Sequence, residues 1–227
     1  MKNKNQTKVL IVIPCYNYGN YLPEAIESAL GQTMKCTVAV VDDGSTDKTR
    51  EVVAKYPEVI YFYKENGGLP AKARNYAIQR IESEYILPLD ADDILLPEYA
   101  ETASKFLDEN QDIDVVTSDG NIFGSEDGFI SSSVFGDWLR QYNTMVYCSM
   151  FRRTFFDKVE GYNEDLPSPG IEDWVMWVKG YMSGSKAYKL PKPMWKYRIH
   201  PDSMTFLQIL PKMQMLQSWM KDKGYTL

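Results

Sequence analysis

Between Leu87 and Asp93 the chain reads Leu-Pro-Leu-Asp-Ala-Asp-Asp, an apolar stretch that opens into three carboxylates within four residues. Carboxylates packed this closely repel one another, and a hard divalent cation relieves the repulsion. In phosphate chemistry magnesium or manganese is held by one or two carboxylates, with phosphate oxygens filling its other positions. A solvated acidic turn that caps the next helix is the structural alternative for a bare Asp-x-Asp spacing. A second group, Val40-Val41-Asp42-Asp43-Gly44-Ser45-Thr46-Asp47, ends an apolar run in two acids, a turn glycine and a helix start. Asp47 or Thr46 suits the helix N-cap. One of the two preceding acids suits a hydrogen bond from the base or ribose of a nucleotide.

Such acids act together only if the fold brings them to one rim. Apolar runs and amphipathic stretches alternate through the first half. Strands are expected at 9–13, 38–41, 59–63 and 85–89, and helices at 22–30, 47–55 and 71–81. This rhythm predicts an α/β fold with a mostly parallel central sheet and helices on both faces. Ligands of such sheets bind beyond the carboxyl ends of the strands. Tyr16, Asn17, Asp42, Asp43, Glu65, Asn66, Asp90, Asp92 and Asp93 all follow a strand and so share that rim. The second half is less regular, with a helix at 98–110, a strand at 115–117, a helix at 173–182 and a strand at 195–199. The Gly/Ser-rich acidic stretch 118–133 reads as a mobile loop. No repeat or linker composition divides the chain, so one domain over 1–227 is expected.

Composition narrows the function. The 227 residues carry 31 acidic and 25 basic side chains, a net charge of -6, which provides no basic field to gather nucleic acid. Cys15, Cys36 and Cys148 form no CxxC pair and are odd in number, against both a disulfide framework and a zinc cluster. A reducing cytoplasm is the expected setting. The apolar run 9–13 is too short for a signal peptide, and no apolar stretch approaches the roughly 20 residues that span a bilayer. Membrane contact is therefore expected to be peripheral at most. In the tail, Ile209, Met213, Leu216 and Met220 recur at helical spacing, with Lys212, Lys221 and Lys223 flanking. This stripe suits packing on its own domain or on a second subunit of a homo-oligomer, or a membrane-surface helix serving a lipid-linked acceptor.

Six segments resemble, in order and spacing, the family-two inverting glycosyltransferases. They are 12–17 (Val-Ile-Pro-Cys-Tyr-Asn), 41–47, 66–75 (Asn-Gly-Gly-Leu-Pro-Ala-Lys-Ala-Arg-Asn), 89–93, 170–174 (Gly-Ile-Glu-Asp-Trp) and 197–205. The resemblance covers about residues 8–205 and implies a GT-A (Rossmann-like) fold. It implies a nucleotide-sugar-binding half over about 8–95, an acceptor-binding half over about 96–205, and a helical tail over 206–227. It also implies transfer of a sugar from a nucleotide diphosphate, with UDP the expected nucleotide, to a hydroxyl of a saccharide or lipid-linked acceptor. A nucleotidyltransferase on a similar sheet would carry an arginine-containing glycine-rich loop after the first strand, where this chain has Cys15-Tyr16-Asn17-Tyr18-Gly19. A degenerate nucleotide- or glycan-binding module would be expected to lose the metal acids or the base, and Asp90, Asp92 and Asp173 are present.

Carried over by position, the resemblance implies that Pro14, Tyr16 and Asp43 hold the base, with Asp42 more structural, and that Arg74 lies near the base or diphosphate. Asp90 and Asp92 match the metal-binding Asp-x-Asp, with Asp92 the more direct ligand, Asp90 a contact to the ribose or, through water, to the metal, and Asp93 a brace of the loop. His200, the sole histidine, falls at a metal or diphosphate contact. The ion implied is Mn2+ or Mg2+. Asp173 matches the general base: a hydroxyl is a poor nucleophile until a neighbouring group accepts its proton. The structural alternatives are an acidic first helical turn for Asp173, a plain hydrogen-bonding role for His200 and a surface cation for Arg74.

Overall fold

The computed structural model describes residues 7–201, 203 and 213–225. The first apolar run forms β1 (Thr7–Cys15), and its alternate residues divide between two cores. Val9, Ile11 and Ile13 pack with α1 (Leu22–Leu30), α2 (Thr49–Val53) and α4 (Tyr99–Glu109). Leu10 and Val12 join α3 (Pro70–Ile78), α5 (Arg153–Lys158) and α6 (Glu172–Met182) on the opposite face. A strand covered on both sides must be apolar at consecutive positions, which is why 9–13 carries no polar interruption.

Seven strands form the central sheet. Their order is β10 (Ala187–Lys189), β6 (Val115–Thr117), β9 (Met150–Arg152), β4 (Ser83–Pro88), β1, β2 (Thr37–Asp42) and β3 (Ile60–Tyr63). Every neighbouring pair is parallel except those of β9, which runs antiparallel to both β4 and β6. The mostly parallel sheet with helices on both faces is as the alternating pattern predicts. Helix α2 is shorter than expected because Asp47 stays outside it, accepting hydrogen bonds from the Gly19 and Thr49 amides at 2.8 and 2.9 Å.

A second sheet was not foreseen: β5 (Ile94–Leu95), β11 (Trp195–Ile199), β7 (Gly120–Gly124) and β8 (Gly128–Ile130). Residues 118–133, expected to be a mobile loop, contain the β7–β8 hairpin, and β7 pairs in parallel with β11 from Gly120↔Trp195 to Gly124↔Ile199. The composition misleads because these glycines serve packing. A Cβ on Gly120 would lie 2.7 Å from the Trp195 indole, so only glycine lets the strands pair there. The partner strand, distant in sequence, leaves no local signature.

In the tail, α7 (Met213–Asp222) buries Met220 completely in the α3/α5/α6 core, and Trp219 packs beside it. This end of the stripe covers its own domain. Ile209, Lys212 and the side chains of Met213 and Leu216 lie outside the described residues. Among the described residues no helix is long and apolar enough to cross a membrane.

Candidate active site

The carboxyl ends of β1, β2 and β4 open into a cavity of about 530 Å³, closed on its far side by the start of α6. Of the eight side chains singled out from the sequence, Pro14, Tyr16, Asp43, Arg74, Asp90, Asp92 and Asp173 line it. His200 reaches it through Asp92, its Nε2 2.9 Å from Asp92 Oδ2.

At the β2 end the two consecutive acids do different work. Asp42 turns into the fold and accepts hydrogen bonds from the Ser45 amide (2.8 Å) and the Tyr61 hydroxyl (2.7 Å). Asp43 faces the cavity, ion-paired with Lys64 and accepting the Gly67 amide at 3.0 Å. A strand alternates its side chains, so consecutive acids at its end must point to opposite sides.

The Asp-x-Asp segment is held from three sides. Asp93 is fully buried and accepts hydrogen bonds from the Tyr147 hydroxyl (2.6 Å) and the Arg198 amide (2.8 Å). Tyr147 also accepts the Asp90 amide at 3.1 Å, and Arg198 Nε donates to the Asp92 carbonyl at 2.8 Å. Desolvation, then the charges of Asp92 and Asp90, push the Asp93 carboxyl well above its ordinary range. Asp93 is thus a brace, while Asp90 and Asp92 face the cavity. His200 packs in a cluster with Tyr18, edge-on at 5.5 Å between ring centroids, and Tyr21, at 4.4 Å.

Arg74 is not a surface cation. It is 1% exposed, and its guanidinium bridges Glu172 Oε1 (2.7 Å) and Asp90 Oδ1 (2.5 Å). It therefore ties the Asp-x-Asp segment to the first residue of α6. Asp173 follows at once, with both carboxylate oxygens 3.3–3.4 Å from the Asn143 amide nitrogen. Burial, reinforced by the adjacent Glu172 charge, raises the Asp173 carboxyl to about 7. Burial likewise raises Asp90 to about 6, against the pull of Arg74. A carboxylate poised near neutrality in a cleft has the affinity for a proton that general base catalysis needs.

Sequence reasoning missed Asn143 and Tyr147, which lie in an irregular segment and gain meaning only from the side chains they touch. Glu172 was inside a recognised motif, but its partner Arg74 lies 98 residues away.

Among the described residues no three His, Cys, Asp or Glu side chains form a metal-ligating group by themselves. Asp92 with the free oxygen of Asp90 nevertheless gives the sparse all-oxygen donor set that suits Mg2+ or Mn2+ when phosphates complete the shell. For His200 to ligate through Nε2, its proton must sit on Nδ1, a buried atom with no hydrogen-bond partner among the described residues. The tautomer that donates from Nε2 to Asp92 fits the surroundings better, as metal-ligating histidines regularly have a partner for the other nitrogen.

Comparison with known proteins identifies the family and the fold. The family model described as Glycosyl transferase family 2 matches residues 10–161. An uncharacterized glycosyltransferase of Rickettsia felis is 33% identical over 217 residues, covering 89% of this chain and 35% of the relative, so the chain spans about a third of that protein's length. S. aureus TarS 1-349 in complex with UDP superposes with a TM-score of 0.73 at 25% identity, over 86% of this chain and 61% of that 1-349 chain. The mannosyltransferase PcManGT from Pyrobaculum calidifontis, in complex with GDP-Man and Mn2+, gives 0.69 at 19% identity over 97% of this chain and 65% of its own. The chain has the GT-A fold and belongs to glycosyl transferase family 2.

Proposed function

We propose that this chain is a metal-dependent, inverting glycosyltransferase that moves a sugar from a nucleoside diphosphate, UDP by preference, to an acceptor hydroxyl. The observation that carries the reading is one cavity lined by Asp43, by Asp90 and Asp92, and by Asp173, a carboxyl raised to about 7. Pro14, Tyr16 and Asp43 hold the nucleotide base. Asp173 accepts the acceptor proton as the hydroxyl oxygen bonds to the anomeric carbon and the carbon–oxygen bond to the diphosphate breaks. Attack from the face opposite the leaving group inverts the anomeric configuration. A magnesium or manganese ion held by Asp92 and Asp90 would supply Lewis-acid stabilisation of charge on the departing diphosphate. His200 steadies the Asp92 carboxylate. Arg74 keeps Asp90 and Glu172 in register and so spaces the diphosphate end from the base. TarS in complex with UDP, and PcManGT with GDP-Man and Mn2+, support the donor class and the ion.

Calorimetric titration of UDP and GDP with Mn2+ and with EDTA tests the reading, because the acids tolerate a diphosphate only when a cation intervenes. Binding is expected with Mn2+ and not with EDTA, and equal affinity in both would remove the metal. Asp92→Asn should lose most of the metal-linked affinity. His200→Ala should weaken Mn2+ affinity about 10- to 100-fold, the usual effect of losing a group that orients a ligand. If His200→Ala leaves Mn2+ affinity unchanged, the histidine has no part in the site.

A further inference from the structure

We propose that Trp138 and Tyr142 form a platform on which a sugar ring of the acceptor lies, so that this chain glycosylates a saccharide. The proposal rests on the glycosyl-transfer reading of the adjoining cavity. Residues 137–140 form a single 3-10 turn in which the Trp138 carbonyl accepts the amides of both Gln141 and Tyr142 at 3.0 Å. The Trp138 carbonyl that accepts the Tyr142 amide holds both residues to this one turn. They are 48% and 60% exposed, among the most exposed large apolar side chains of the protein.

The turn that carries Trp138 is fastened to the helix that carries Asp173. The Trp138 ring lies on Gly136, where a Cβ would come within 2.4 Å of the indole, and its Nε1 donates to Ser133 Oγ at 3.3 Å. Two donors from α6 fasten the turn: Trp174 Nε1 to the Leu139 carbonyl (2.6 Å) and the Tyr181 hydroxyl to Asp137 Oδ1 (2.5 Å). Asp173 lies in the first turn of that same helix. The residue after Tyr142 is Asn143, whose amide meets both Asp173 oxygens and which lines the cavity. Tyr142 thus adjoins the residue whose amide touches the group that would activate the acceptor hydroxyl.

The chemistry of the surface selects the ligand. Exposed Asp137, Gln141 and Asn143 interleave the two rings. An acyl chain needs a continuous apolar groove, whereas a pyranose offers a C–H-rich face for an aromatic ring and hydroxyls around its edge for polar neighbours. An exposed ring held as Trp138 is, by its bond to Ser133, gives contact area with little further loss of side-chain freedom on binding.

The test uses protein saturated with Mn2+ and whichever of UDP or GDP binds, titrated with trisaccharides of glucose, galactose, mannose, N-acetylglucosamine and N-acetylgalactosamine. At least one trisaccharide should bind. Its affinity should fall about tenfold in Trp138→Ala and in Tyr142→Ala and persist in Tyr142→Phe, which keeps the ring. Nucleotide affinity and melting temperature should match wild type in all three. Nucleotide binding without any saccharide binding overturns the platform alone, as does saccharide binding indifferent to both alanine variants. Failure of both nucleotides to bind overturns the reading of the cavity. The saccharide titration of the protein alone then decides the platform by the same criteria.

Discussion

Asp173→Asn is expected to fold, to bind nucleoside diphosphate with near wild-type affinity, and to transfer sugar about 100- to 10,000-fold more slowly. Positioned acid–base groups contribute in that range, equivalent to roughly 3 to 5.5 kcal/mol of barrier. Asparagine keeps the size of the side chain and its place beside Asn143 but cannot accept the proton. The loss therefore belongs to the transition state, with little change in ground-state donor binding. In the parent enzyme kcat/KM should rise with pH through about 7 as the Asp173 carboxyl ionises, and that limb should vanish in the variant. Stability moves in the opposite sense. With its folded-state value raised, the folded protein binds more protons than the unfolded chain between about pH 4 and 7, so stability falls as pH rises through that window. Removing the charge should make Asp173→Asn more stable than the parent above pH 7. Were Asp173 only an acidic first-turn residue of α6, the same change would cost a few tenths to about 1 kcal/mol and leave the rate per folded molecule intact. Turnover, UDP affinity and melting temperature measured on one preparation separate the two. Near wild-type turnover would end the role given to Asp173.

The parallel half of the fold was legible because β1, β2 and β4 are buried on both faces and α1 on one, so hydropathy marks them. The polar residues beyond β1, β2 and β4 could then be assigned to one rim from topology, and the cavity lies there. What stayed hidden depends on distant pairing. Gly120 reads as a loop residue until Trp195 is laid over it, and β9 becomes a strand only by fitting antiparallel between β4 and β6. Asp93 shows the same limit within a motif. Its spacing from Asp90 and Asp92 cannot tell a ligand from a brace, and the distinction comes from Tyr147 and Arg198, which are remote in sequence. Arg74 was expected near the donor, and it does line the cavity, but burial against Glu172 and Asp90 ties its charge into the protein itself.

That burial leads to the largest expected change in stability. Replacing Arg74 by methionine keeps most of the volume and removes the cation from between two carboxylates, one of them, Glu172, only 4% exposed. Breaking a buried ion pair from one side typically costs about 3 to 5 kcal/mol, because the remaining charge is left uncompensated in a dry site. The Glu172 arm carries most of this, since the Asp90 side chain keeps a third of its surface open and its share is screened. Against a typical total of about 5 to 15 kcal/mol, Arg74→Met should be among the most destabilising substitutions in this chain. Acid should recover part of the loss by neutralising carboxylates that no longer face a cation. Adding Glu172→Gln should recover more, and a double-mutant cycle of the two positions should give a coupling of several kcal/mol. Arg74→Lys should restore the charge but not the bridge, because an ammonium lacks the planar fork that reaches Glu172 and Asp90 together. Urea denaturation of the four variants at pH 5 and pH 8 measures each of these differences. If Arg74→Met unfolds at the wild-type midpoint at pH 8, Arg74 does not join the Asp90 segment to the start of α6. The spacing it is thought to set between diphosphate and base would then have to come from the packing of α3 alone.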